Sequence, residues 1–138
     1  MKIIFIIFLS VILCSLLLCS CSSTKQSAEL PDISKADHIK FSYKMDFDST
    51  GRMKIKDVDI TDYKKVNDVK NIITYDPFTY VYCISSGSMS FYKDTTFIAS
   101  MVFNTSKDYT HIACNYNGKL VAIKLTEKNA QFLDSFKN

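Results

Sequence analysis

Between Ile39 and Phe47 the chain alternates without a break. Ile39, Phe41, Tyr43, Met45 and Phe47 are apolar or aromatic, whereas Lys40, Ser42, Lys44 and Asp46 are polar. A period of two puts one set on each face of a strand, so this segment is expected to bury one side and expose the other. The turn-forming run Asp48-Ser49-Thr50-Gly51 follows, and alternation resumes over Met53-Lys54-Ile55-Lys56. That pattern predicts a β-hairpin.

The hairpin should lead into a helix. Val66, Val69, Ile72 and Ile73 recur at helical spacing, Thr61 or Asp59 is placed to cap the start, and Pro77 bars continuation. Asp62, Lys64, Lys65, Asp68 and Lys70 form the solvated face. Short strands are expected over 78–84, 88–93, 97–104, 110–116 and 119–125, punctuated by Ser85-Ser86-Gly87 and Asp94-Thr95-Thr96. Asn117-Gly118 suits a type I′ hairpin, whose two central residues need positive φ. Thr126 can cap a last helix with Ala130, Leu133 and Phe136 on one stripe and Phe132 beside it. The expected class is α+β: an N-terminal β-hairpin, one helix, an antiparallel β-meander and a short C-terminal helix, with helices covering a curved sheet.

The amino terminus carries a different signal. Lys2 precedes an apolar run of roughly sixteen residues, Ile3 to Leu18, broken only by Ser10 and Ser15, and the run closes on Leu18-Cys19-Ser20-Cys21. This arrangement resembles a bacterial lipoprotein signal peptide with its lipobox. Leu18, Ser20 and Cys21 match the usual pattern, and Cys19 departs from it in the second slot. The resemblance implies cleavage before Cys21, a diacylglycerol on its thiol and, in most members, an acyl group such as palmitate on the new amino terminus. Two or three chains hold a protein stably where one binds reversibly. A transmembrane helix needs ~20 apolar residues, so an uncleaved anchor fits less well. An ordinary secretory signal, giving a secreted protein, is the other alternative. In a double-membraned host the resemblance implies that Ser22, a non-aspartate after the lipidated cysteine, favours the outer membrane over retention elsewhere in the periplasm-facing envelope.

Three segments are therefore expected: a signal peptide over 1–20, a flexible tether over 21–36 rich in Ser, Lys, Gln and Asp, and one folded domain over 37–138. The domain is long enough to bury a core without staples. Ten Phe and eight Tyr against no Trp make that core aromatic and β-rich. The net charge is +3 and falls by one when Lys2 leaves, and Arg52 is the sole arginine. Near-neutrality and the scarcity of guanidinium forks argue against nucleic acid as a partner.

Chemistry-bearing residues are sparse. With Cys14 and Cys19 in the signal and Cys21 lipidated, Cys83 and Cys114 remain as a candidate disulfide in an oxidising compartment, or as two buried thiols. His38 and His111 are the only histidines and have no partners at metal-ligand spacing, so no metal or cofactor is expected. His111 and Cys114 lie three apart on a strand and point to opposite faces. Ser85-Ser86-Gly87-Ser88 reads as a turn, and Asn104-Thr105-Ser106 is a formal N-glycosylation sequon. No residue is nominated as catalytic.

Tyrosines are the remaining lead. Tyr80, Tyr82 and Tyr92 are expected to contribute to a recognition surface, because Tyr supplies contact area with a polar tip. The functional expectation is a lipid-anchored envelope protein acting as a small binding or interaction module for a protein or small ligand. The alternatives are a structural envelope accessory and, less favoured, a small secreted enzyme. A pocket gathering His111 with carboxylates would favour the enzyme; a flat exposed Tyr/Phe patch would favour binding.

Overall fold

The computed structural model describes residues 29–74, 76 and 84–138. Within them, six strands form one open antiparallel sheet and two helices accompany it, a mainly-sheet α+β fold. The elements run β1 (His38–Phe47), β2 (Met53–Ile60), α1 (Tyr63–Ile72), β3 (Gly87–Lys93), β4 (Thr96–Asn104), β5 (His111–Tyr116), β6 (Lys119–Lys124) and α2 (Glu127–Ser135). Of the strand expected over 78–84, residues 78–83 lie outside the described residues, as does the helix stop at Pro77, and Ile84 is not in a strand. No helix among those described is long and apolar enough to cross a membrane.

Strand order is β2-β1-β3-β4-β5-β6. Strand β3 pairs antiparallel with β1, not β2, so the link through α1 carries the chain over β1. Register follows the alternation. Ile39 opposes Ile60 and Phe91, and Phe41 opposes Val58 and Met89, which stacks apolar residues on one face. The opposite face carries His38, Lys40 and Ser42 from β1 beside Ser88, Ser90 and Tyr92 from β3. At Asn117-Gly118 both φ angles are positive, at 51° and 73°, and the turn joins β5 to β6 with Tyr116 opposite Lys119.

The core lies between the apolar sheet face and the helices. It gathers Ile39, Phe41, Tyr43, Met89, Phe91, Met101, Phe103, Ile112 and Ile123 from the sheet with Val66, Val69 and Leu133 from the helices. Phe41 stacks on Tyr43 at 5.6 Å and on Phe136 at 5.4 Å, while Phe103 meets Tyr43 edge-on at 5.5 Å. Offset and edge-to-face contacts of this kind suit the ring quadrupoles. The buried Tyr43 hydroxyl donates to the Leu133 carbonyl at 2.5 Å, fastening α2 to β1. Gly87 is required where it stands: a Cβ there would lie 2.6 Å from the Ser42 carbonyl oxygen and 2.8 Å from the Phe103 ring.

Two expectations change in detail. The cap of α1 is Asp62, whose side chain accepts from Lys65 N–H, and neither Thr61 nor Asp59 takes that place. Asp59 instead points across the sheet to His38. Packing also reaches into the segment read as tether: Leu30 and Ile33 lie against the core and Ala36 is buried. Thr126 caps α2 by accepting from Asn129 N–H at 3.2 Å.

Candidate functional site: an open sheet face and a cleft

The polar side of the alternation leaves a broad sheet face away from the core. On β1 and β3, His38 stacks on Tyr92 with ring centroids 5.3 Å apart, and Tyr92 meets Phe97 edge-on at 5.8 Å. Phe97 begins this row from the start of β4 and is 56 % exposed. The His38 Nε2 atom lies 2.8 Å from Asp59 Oδ1, which fixes the imidazole plane beneath Tyr92. Next to the row, Asp57 accepts from the Ser42 hydroxyl at 2.7 Å and pairs with Lys40 at 3.3 Å. Those two partners, Ser42 first, hold its carboxyl below the ordinary range, and Asp57 in turn raises Lys40. Ser90 donates to Ser100 across β3 and β4 at 3.2 Å.

Beside the row the sheet opens. Strand β4 pairs with β5 only through Val102, Phe103 and Asn104 against Ala113, Ile112 and His111. Beyond those three the strands diverge and enclose a cleft of about 460 Å³. Ile98 to Val102 form one wall and Ala113 to Tyr116 the other, with Leu120, Phe97 and Pro31 at the margins. None of the lining residues is charged. Phe97 belongs to both the row and the cleft, so the two make one continuous surface.

Sequence-nominated residues scatter relative to this surface. Tyr92 lies at its centre, whereas Tyr80 and Tyr82 fall outside the described residues. Cys21 likewise falls outside them. Cys114 is a buried free thiol at the cleft wall, and burial pushes its pKa up; Cys83, its expected bridge partner, is outside the described residues. His111 is 1 % exposed and its Nδ1 lies 2.7 Å from the Tyr109 carbonyl oxygen. In register it shares the side of β5 with Ala113, while Cys114 shares the other with Ile112. The two therefore do not combine into a nucleophile–base pair. His38 with Asp59 supplies half of a triad, yet the nearby Ser42 and Ser90 hydroxyls donate to Asp57 and Ser100. Among the described residues no three His, Cys, Asp or Glu side chains gather as a metal site.

The sequon is occupied by packing. Asn104 is 2 % exposed, its amide nitrogen donates to the Ile84 carbonyl at 2.9 Å, and its oxygen accepts from Ser106 N–H. The atom a glycan would need is already committed. Around it, Ser86, Thr105 and Asp134 form a hydrogen-bonded chain in a second, polar groove bounded by Lys44 and Lys137.

Sequence reasoning missed Phe97, Val102 and Leu120 as exposed surface. Their residue types read as core, but register sets Val102 opposite Ser88, Phe97 opposite Tyr92 and Leu120 opposite Asn115, on the side of the sheet away from the core. No family model matches this chain, and no curated protein or solved structure matches it either.

Proposed function

We propose that this protein is a lipid-anchored binding module of the cell envelope, held to the membrane through Cys21 and recognising its partner with the open side of the sheet. The observation that carries the recognition half is the row of half-buried His38 and Tyr92 and exposed Phe97 leading into an uncharged cleft. Large exposed apolar groups on an otherwise polar face mark interaction surfaces. Aromatic rings give contact area at low entropic cost, and the Ser and Asp groups around them set orientation. The anchoring half rests on Lys2, the apolar run and the Leu18-to-Cys21 motif. The α+β domain with its hairpins and helix-covered face is the rigid support for that surface.

The test places a photo-crosslinker at position 97 of the native chain in intact cells, with position 64 on α1 as control. Discrete adducts from 97, diminished by Tyr92→Ala and missing from 64, are expected. Equal adducts from both positions, or none from 97, would contradict the recognition surface.

A further inference from the structure

We infer that the β1–β2 hairpin end of the sheet is a membrane-docking surface that meets a bilayer containing anionic phospholipid. The inference rests on the anchoring half of the proposed function and is independent of the recognition half.

Apolar side chains gather at this end without a cover. Phe47, Met53, Ile55 and Ile84 are all exposed, Ile84 most of all at 69 %. Register makes them one patch. Met53 lies opposite Phe47 and Ile55 opposite Lys44, and Met53 and Ile55, two apart on β2, share a side. The Lys44 ammonium donates to the Ser85 hydroxyl at 2.7 Å, which brings Ile84 alongside. Scattered exposed apolar residues are ordinary, but a contiguous group of four around one lysine marks a contact surface.

The surroundings of the patch select a lipid surface. Beside it runs the polar groove of about 630 Å³, with Met53 and Ile84 on its rim and Lys44 and Lys137 at its sides. Donors there outnumber acceptors. Lys44 spends one of its three N–H bonds on Ser85, whose hydroxyl keeps its own hydrogen to give, and Ser106 offers another hydroxyl. Asp134 already accepts from Thr105 at 3.0 Å, and Asp48 accepts from the Thr50 and Arg52 N–H groups within the turn. That leaves Asp46 against Lys44, Arg52, Lys54 and Lys137. A phosphodiester headgroup supplies the acceptors and the negative charge that this end lacks, and the acyl region receives the apolar side chains. Lysine stems can lie along apolar surface while their ammonium groups stay at headgroup level.

The start of the folded chain fits this pose. Pro31 lines the cleft with Phe97, at the opposite end of the sheet from the hairpin turn. Strand β1 has 10 residues. At ~3.3 Å per residue it holds the His38–Tyr92–Phe97 row ~30 Å from the hairpin end. The stretch from Cys21 to Pro31 can span up to ~35 Å. A lipid on Cys21 and the hairpin end can therefore enter one bilayer while the row stands clear of it.

The chain has no tryptophan, so Phe47→Trp installs a single reporter at a site exposed enough to take it. Tyr63→Trp, at the exposed start of α1 beyond the far end of β2, is the control. The mature chain extracted from membranes is reconstituted into phosphatidylcholine vesicles with or without phosphatidylglycerol, the acyl chains carrying bromine. The reporter at 47 should be quenched by bromine and shielded from acrylamide only where phosphatidylglycerol is present, and the reporter at 63 should show neither effect. Adding Lys44→Gln should weaken docking of position 47 by roughly fivefold, the worth of one cation near an anionic surface. Unchanged acrylamide access at 47, equal bromine quenching without phosphatidylglycerol or at 63, or no effect of Lys44→Gln would overturn the inference. So would shielding at 47 that needs no vesicles and grows with protein concentration, the mark of a protein contact. Intact mass of the same sample shows separately whether Cys21 carries lipid, so a failed anchor and a failed docking surface are told apart.

Discussion

Single residues decide how closely this sheet packs. Gly87 has no space for a side chain, with Ser42 carbonyl and Phe103 ring on its two sides. Gly87→Ala should therefore cost about 1–3 kcal/mol, the usual price of overpacking, read as a lower urea midpoint with unchanged slope. Tyr43 is fully buried and its hydroxyl bonds the Leu133 carbonyl, so Tyr43→Phe should lose about 1 kcal/mol. Burial raises the Tyr43 phenol far above its ordinary value of 10.0. A raised folded-state pKa means that the stabilisation is complete below about pH 10 and is lost as pH climbs toward the folded value. Alkaline unfolding of Tyr43→Phe should accordingly be less steep with pH than that of the native chain. At this scale, much of the core was readable: Ile39, Phe41 and Tyr43 had to share a face. The need for glycine at 87 was not, because it arises from Phe103, sixteen positions away on another strand. The His38–Asp59 bond was hidden likewise, since it joins residues 21 apart across two strands.

Elements depend on their ends and their neighbours. Thr126 caps α2, and Thr126→Ala should lower stability by about 0.5–2 kcal/mol, measurable by denaturant titration, while leaving the strand amides protected. Turns tie the acid limit to carboxylates. Asp48 is lowered by the Thr50 hydroxyl and then by the Arg52 and Thr50 N–H groups, and Asp37 by Lys93 and then Asp94 N–H. Lowered folded-state pKa values add stability above the ordinary 3.8 and lose it as pH falls through the folded values. The thermal midpoint should drop on acidification below roughly pH 4, and Asp37→Asn should lower it at neutral pH while flattening that acid slope. Individual strands were legible from alternation and from turn chemistry such as Asn117-Gly118. Their order was not. Nothing local tells that β3 lies beside β1, because the same alternation serves either neighbour. The cleft was invisible for the same reason: 97–104 and 110–116 read as strands whether or not they pair along their length. Asp62 as cap escaped notice because Thr61 and Asp59 are equally good capping types, and only the path out of β2 chooses among them.

As a whole, the molecule packs one face of its sheet and leaves the other open, the face for which we propose recognition. Helices and aromatic side chains close one side of the sheet, which leaves the other free to carry His38, Tyr92, Phe97 and the cleft. Packing of Leu30, Ile33 and Ala36 against the core brings the start of the folded part to the cleft margin at Pro31. Between Cys21 and Pro31 the chain spans at most ~35 Å even fully extended, so a lipid on Cys21 would keep the cleft margin at Pro31 within that distance of the bilayer. The proposed anchor on Cys21 comes first. The most direct measurement is the intact mass of the protein extracted from membranes. A mature chain starting at Cys21, heavier by a diacylglyceryl group and a further acyl group, is the predicted result. An unacylated chain, or one cut elsewhere, would contradict it.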